Sequence, residues 1–268
     1  MLGSYFYLIK VHYKNKYEME SPRFRIYVIF HKFLVPECYE TLTDEDISEH
    51  IRFVAVNHNI PKEIPDRLKP WVIEEDSLPW NDPIMQKYKF CESSVFFHAY
   101  KNPEIFLDEI DYIGFLHYDM TITKEALDLI TMAATVHEKE EILFTQSTLT
   151  ARPHLNQIFT LNMWDNTVKI YNDEFGTEYS IHDIIDDEIP LYHSFVLHRN
   201  TFERLMKFAE RCTPLIHAYL NRQTTHMPFM LERLHGIFLA LQRLDGNPAI
   251  WLPLPGVIHK DSLKDAWK

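Results

Sequence analysis

YIGFLHYDM, Tyr112 to Met120, is the stretch whose reading decides the fold. Apolar residues and one glycine run straight into His117, Tyr118 and Asp119. The run is short, β-rich and unbroken, and predicts a central strand buried on both faces. Its C-terminal end carries two potential metal ligands, His117 and Asp119. Side chains at i and i+2 of an extended segment point the same way. In an open α/β sheet, ligands bind at the carboxyl ends of the strands, where a carboxylate is expected to be solvated. The competing reading is structural: Asp119 caps the next turn and His117 is a satisfied core histidine.

Upstream, Arg25 to Phe33 (RIYVIFHKF) predicts a strand with His31 and Lys32 at its end. Thr43 to His50 reads as a short helix with an acidic start, and Ile51 to Asn57 as a second strand. Together they form a βαβ unit, which crosses over right-handed. A loop rich in Pro and acids runs from Asn59 to Trp80. Asp82 and Pro83 then open a helix as N-cap and N1, and Ile84, Tyr88, Cys91, Val95 and Ala99 keep helical spacing.

Downstream, a helix over Glu125 to Lys139 and a strand over Glu141 to Ser147 are expected. A helix through Trp164 to Phe175 ends at Gly176. The acidic run Asp183, Asp186, Asp187 and Glu188 reads as a solvated loop. Leu191 to His198 is a strand, Thr201 to Arg211 a helix, and Phe229 to Arg243 a strong helix with Met230, Leu234, Ile237 and Leu241 on one stripe. A last short strand leads to a loop carrying His259 and Lys260. Strands alternating with helices predict an α/β fold: a mostly parallel, twisted sheet with helices on both faces. Residues 1–268 read as one domain.

The chain has 268 residues, 46% hydrophobic and 25% charged, with a formal net charge of −12. That composition predicts a soluble globular protein and argues against nucleic-acid or anionic-membrane binding. Three scattered cysteines, Cys38, Cys91 and Cys212, make no disulfide framework and predict a reducing, cytoplasmic location. The apolar stretch Tyr5 to Val11 is too short to span a bilayer, so neither a transmembrane segment nor a signal peptide is expected. Neither a dinucleotide fingerprint nor a P-loop occurs.

Four motifs in order carry a resemblance. They are IFHKF at Ile29 to Phe33, KFCESSVFFHAYKN at Lys89 to Asn102, DYIGFLHYDM at Asp111 to Met120, and FMLERLHGIF at Phe229 to Phe238. The chain resembles a GT-A-like glycosyltransferase family of capsular and exopolysaccharide biosynthesis, formerly a domain of unknown function. Its compact format also looks like glycosyltransferases encoded by large algal DNA viruses, which would place it in the cytoplasm of an infected host cell. The family commonly continues HYRR after the strand, whereas this chain reads HYDM, so Asp119 replaces an Arg. A metal ion then becomes the natural substitute for two arginines in neutralising a diphosphate.

The resemblance implies a GT-A-like fold, with residues 24–119 as the nucleotide-sugar side and 120–268 as the acceptor side. It implies transfer of a sugar from a UDP-hexose or UDP-pentose to a glycan or glycoprotein acceptor, with inversion. Mn²⁺ or Mg²⁺ would be the cofactor, held by Asp119 and by His259, which resembles the late histidine of many GT-A enzymes. His31, Lys32, Lys89, His117 and Lys260 are the candidate nucleotide contacts. Glu232 is the candidate base by resemblance, expected in the first turn of its helix and kept ionised by the helix N-terminus. A metal-dependent hydrolase and a non-catalytic carbohydrate-binding protein are the alternatives.

Overall fold

The computed structural model describes residues 23–137, 140–146, 148–157, 160–190, 192–221 and 224–259. The first strand, β1 (Phe24–Phe30), alternates its apolar side chains between two layers, Tyr27 and Ile29 to one and Ile26, Val28 and Phe30 to the other. Helix α1 (Asp44–His50) starts where Thr43 and Asp46 exchange hydrogen bonds in a capping box. It leads into β2 (Ile51–Ala55), parallel to β1 as the βαβ reading requires. Inside the predicted Pro- and acid-rich loop lies an edge strand, β3 (Val72–Glu74), parallel to β2. Three residues are too few to show a period.

The helix expected from Pro83 to Ala99 is broken. Helix α2 (Pro83–Lys87) stops, and α3 (Ser93–Lys101) begins after a loop in which Lys89 and Cys91 take φ of 58° and 52°. As a result Ile84 and Tyr88 are exposed rather than on a buried stripe. A short α4 (Pro103–Phe106) precedes β4 (Tyr112–His117), which is the predicted central strand. It buries Ile113 and Phe115 in one layer and Tyr112 and Leu116 in the other. Its glycine is a close approach: a Cβ at Gly114 would sit 2.8 Å from Val196 Cγ2 and 2.9 Å from Ile26 Cγ1.

The strand ends at His117. Tyr118 and Asp119 turn into β5 (Met120–Ile122), which pairs outside the main sheet, so the i, i+2 argument for His117 and Asp119 does not apply. Next come α5 (Lys124–Val136), β6 (Ile142–Thr145), β7 (Thr148–Thr150), α6 (Ala151–Leu155) and α7 (Leu161–Phe175). Gly176 closes α7 at φ 71°, as its sequence position predicts. The rest is β8 (Glu188–Pro190), β9 (Phe195–His198), α8 (Arg199–Leu220), α9 (Met227–Leu244), β10 (Ile250–Pro253) and β11 (Val257–His259). Helix α8 is twice as long as the sequence predicted, and the acidic run is a surface loop in which Asp186 pairs with Arg152 at 2.8 Å.

The seven-stranded sheet has the order β10-β6-β9-β4-β1-β2-β3. It is parallel except for β9, which runs antiparallel between β4 and β6. Helices α3, α7, α8 and α9 pack over one face, and α1 and α5 over the other. Among the described residues no helix is long and apolar enough to cross a membrane.

Candidate active site

The carboxyl ends of β1 and β4 carry the site. In the loop after β2, Lys62 donates from Nζ to the carbonyls of His31 (2.7 Å), Val56 (2.6 Å) and Asn57 (2.8 Å). All three ammonium donors are thus spent tying the ends of β1 and β2 together, and Asn57 takes φ 60° to allow it. The Asn57 amide donates to His31 Nδ1, which leaves Nε2 as the N–H that donates to Glu92 Oε1 at 2.7 Å. Glu92 sits at the start of α3, delivered by the left-handed residues Lys89 and Cys91.

Alternation along β4 puts His117 on the same face as Ile113 and Phe115. Phe115 pairs with Phe195, so two residues further on each strand His193 lies across from His117, with ring centroids 6.3 Å apart. Tyr192 and His193 both have left-handed backbones, φ 63° and 46°. Two adjacent non-glycine residues in that region cost free energy, a cost commonly met at functional sites. Helix α9 closes the cluster. His235 lies 4.9 Å from both His193 and Phe96, and one turn earlier Glu232 Oε2 accepts the Tyr192 N–H at 2.9 Å. Arg233 donates to Glu232 Oε1 at 3.3 Å but spends its better hydrogen bonds on the carbonyls of His154 and Phe229 and on Gln157.

The two carboxylates are tuned apart. Burial would raise Glu92, but the His31 hydrogen bond and the favourable electrostatics of the neighbouring His117 and His31 imidazoles outweigh it and hold the group at about 2. Glu232 is raised: burial dominates, Arg233, His117 and the Tyr192 N–H oppose it, and Glu92 adds to it. His193 is pushed well below its ordinary value, mainly by burial, with the neighbouring imidazoles of His235 and His117 disfavouring a further positive charge, and burial lowers His235 to about 3. Both are neutral in the folded protein. His117 Nε2, His193 Nε2 and both ring nitrogens of His235 are buried without a hydrogen-bond partner. One carboxylate is thus held ionised and the other made more basic, a divergence of the kind common at functional sites.

The structure brings His31, His117 and Glu232 together. Glu232 corrects its sequence reading: α9 begins at Met227, so the residue lies in the second turn, and burial raises its pKa where the helix N-terminus was expected to keep it low. Asp119 is buried rather than solvated, and its charge acts on the Tyr39 hydroxyl in the opposite layer. Strand β11 runs antiparallel to β5 and sets His259 opposite Met120, beside Asp119 along the chain. The His259 side chain and the whole of Lys260 lie outside the described residues. Lys32 is half-exposed and 3.6 Å from Glu63, and Lys89 is exposed on the loop before α3. Among the described residues no group of three or more His, Cys, Asp or Glu is placed to hold a metal ion.

Sequence reasoning missed Asn57, Glu92, His193 and His235 as members of the site. His193 had a signal, since it alternates with Phe195 and Leu197 and so belongs to their face.

No family model matches the chain, and no curated protein matches it. Among solved structures it overlays on the WbbM bifunctional glycosyltransferase in its apo form, with a TM-score of 0.56 at 14% identity over 85% of this chain. The fold is GT-A-like. The aligned region is 44% of the WbbM chain, so this protein corresponds to less than half of that one. At lower TM-scores it aligns with core-mannan synthase A of Aspergillus fumigatus in a Mn/GDP form (0.37, 12% identity, 83% of this chain and 71% of that one). Mouse xyloside xylosyltransferase 1 follows (0.36, 11% identity, 87% and 85%). At such identities the likeness is one of fold.

Proposed function

We propose that the protein is a glycosyltransferase that moves a sugar from a nucleoside diphosphate sugar, a UDP-hexose or UDP-pentose, to a glycan or glycoprotein acceptor with inversion. The observation that carries this is the pair of half-buried carboxylates, Glu92 and Glu232, at the carboxyl ends of β1 and β4 in a GT-A-like sheet, with the His117 imidazole close enough to favour the ionised form of both. Glycosyl transfer needs a group that takes the proton of the attacking hydroxyl. Glu232 suits that role: its raised pKa makes it a stronger base than an ordinary carboxylate, and the Tyr192 N–H fixes one of its oxygens. Glu92, held ionised, accepts hydrogen bonds from sugar hydroxyls and keeps His31 in one tautomer. The unpartnered His117 Nε2 offers a further contact to the donor.

The fold family implies a divalent ion at the diphosphate. Asp119 and His259 are its candidate ligands: the β5–β11 register sets the His259 backbone opposite Met120, next to Asp119 along the chain, and a carboxylate with an imidazole suits Mn²⁺. The ion, when bound, supplies Lewis-acid stabilisation to the departing diphosphate. Lys32, Lys89 and Lys260 are the remaining candidate cations for the nucleotide. The main sheet draws strands from both ends of the described chain, β1 and β10, which supports one domain; within it the nucleotide side would run up to Asp119 and the acceptor side beyond.

The test is Glu232→Gln. It should fold and bind UDP as the wild type does, while sugar transfer falls by roughly 10²–10⁴-fold. Wild-type transfer should rise with pH through the raised Glu232 pKa. Transfer by Glu232→Gln within a few-fold of wild type would move the base elsewhere.

A further inference from the structure

A cavity of about 340 Å³ lies between residues 80–97 and the C-terminal half of α8 and shares no lining residue with the histidine–glutamate cluster. Its lining residue Phe90 lies two residues before Glu92 in the chain. Glu92, at the head of α3, meets His31 just past the end of β1. Helix α8 leaves β9, which runs antiparallel to β4, so its far end returns to the level where β1 and β4 finish.

The cavity walls are held in place by buried polar groups. Trp80 donates its N–H to Asn102 Oδ1 at 2.8 Å and accepts Asn102 Nδ2 at 2.9 Å on its carbonyl. Its ring stands edge-on to His98 at 5.4 Å. His98 Nε2 accepts the Asp82 N–H at 3.2 Å, so Nδ1 is the N–H that donates to Glu75 Oε1 at 2.9 Å. Asn102, which anchors the Trp80 backbone, and the His98–Glu75 pair, whose imidazole meets the Trp80 ring, are buried, yet Trp80 is 37% exposed. Across the cavity Tyr88, 39% exposed, packs edge-on against His217 at 4.8 Å. Buried polar networks are costly unless fully satisfied, and this one anchors the backbone of a residue whose aromatic ring lies at the surface rather than in the core.

The chemistry of the lining selects the ligand. Trp80 and Tyr88 offer aromatic faces, and Asp82, Glu210 and Thr213 offer hydrogen-bonding oxygens. No lysine or arginine lines the cavity, and Glu210 is paired from outside by Lys101 at 2.6 Å. That excludes a phosphate or another anion. An uncharged pyranose has what the lining wants: an apolar C–H face for the rings and hydroxyl donors for the carboxylates. The volume is at the small end of ligand cavities, roughly 300–1,000 Å³, and suits one or two sugar units. We propose that this cavity is a subsite for an uncharged pyranose of a glycan. That the glycan is the acceptor rests on the glycosyltransferase reading; the binding itself does not.

The experiment is affinity electrophoresis and saturation-transfer NMR with neutral glucose-, galactose- and mannose-containing oligosaccharides, without nucleotide, on wild type, Trp80→Ala and Tyr88→Ala. Circular dichroism checks folding, and Tyr88→Ala, at an exposed side chain, keeps the test valid if Trp80→Ala fails to fold. Wild type should bind at least one neutral oligosaccharide, and a folded variant should bind it about tenfold more weakly with UDP affinity unchanged. No binding by wild type, or wild-type affinity in both variants, overturns the subsite. So does a dimer that Trp80→Ala dissociates with no sugar bound, since a second copy would then be the occupant. Sugar binding without UDP binding would keep the subsite and remove the glycosyltransferase reading instead.

Discussion

Replacing His235 with Phe should make the protein more resistant to acid. In the folded chain His235 is fully buried, packs against Phe96 and His193, and finds no hydrogen-bond partner for either ring nitrogen. Burial lowers its pKa from the ordinary 6.5 to about 3. The folded state therefore binds fewer protons than the unfolded state between those values. The stability tied to this histidine is complete above pH 6.5 and is lost as the pH falls toward 3. From pH 6.5 to 5 the loss is about 1.5 units at 1.36 kcal/mol each, or about 2 kcal/mol. His193, lowered by the same burial, adds a loss of the same sign. A phenyl ring keeps the aromatic packing and cannot titrate. Urea unfolding at pH 7.5, 6.5, 5.5 and 5.0 reads the effect. His235→Phe should lose about 2 kcal/mol less than wild type between pH 7.5 and 5.0, roughly 4–8 °C in Tm. His235→Leu should show the same flattening if the larger ring overpacks. Equal slopes for wild type and both variants would refute the reasoning, since His235 would then be proton-accessible in the folded state.

Two further outcomes follow from the packing. Gly114→Ala should destabilise by about 1–3 kcal/mol in urea unfolding, because its Cβ would meet Val196 and Ile26 at less than 3 Å on two neighbouring strands; unchanged stability would mean that β9 and β1 can part. Cys38, Cys91 and Cys212 are free, so denatured, unreduced protein should take three alkyl groups by mass spectrometry. The native protein should react slowly at neutral pH, Cys91 included, because burial pushes its thiol up to about 12.

The central strand was legible because burial on both faces leaves an unbroken apolar run, and β4 has that run. The direction of β9 was not, since a run of the same kind suits a parallel or an antiparallel neighbour equally well. The break between α2 and α3 hid for another reason: the apolar spacing continues across it while Lys89 and Cys91, not glycines, take the left-handed turn. In the site, His31 and His117 showed as polar residues ending hydrophobic strands, and Glu232 through its motif. Glu92 showed only as one letter of a motif and His235 as one residue of a long helix. Their roles come from which segments meet, which no local pattern records. Asp119 shows the reverse: its strand-end position was legible, but the turn that carries it toward Tyr39 was not.

The measurement that tests the central claim most directly is titration calorimetry of UDP into the protein with and without Mn²⁺, repeated on Asp119→Ala. A nucleotide-sugar glycosyltransferase whose ion sits beside β5 and β11 predicts UDP binding that strengthens with Mn²⁺ and loses that dependence in a folded Asp119→Ala protein. UDP binding absent from the wild type under both conditions would contradict the account.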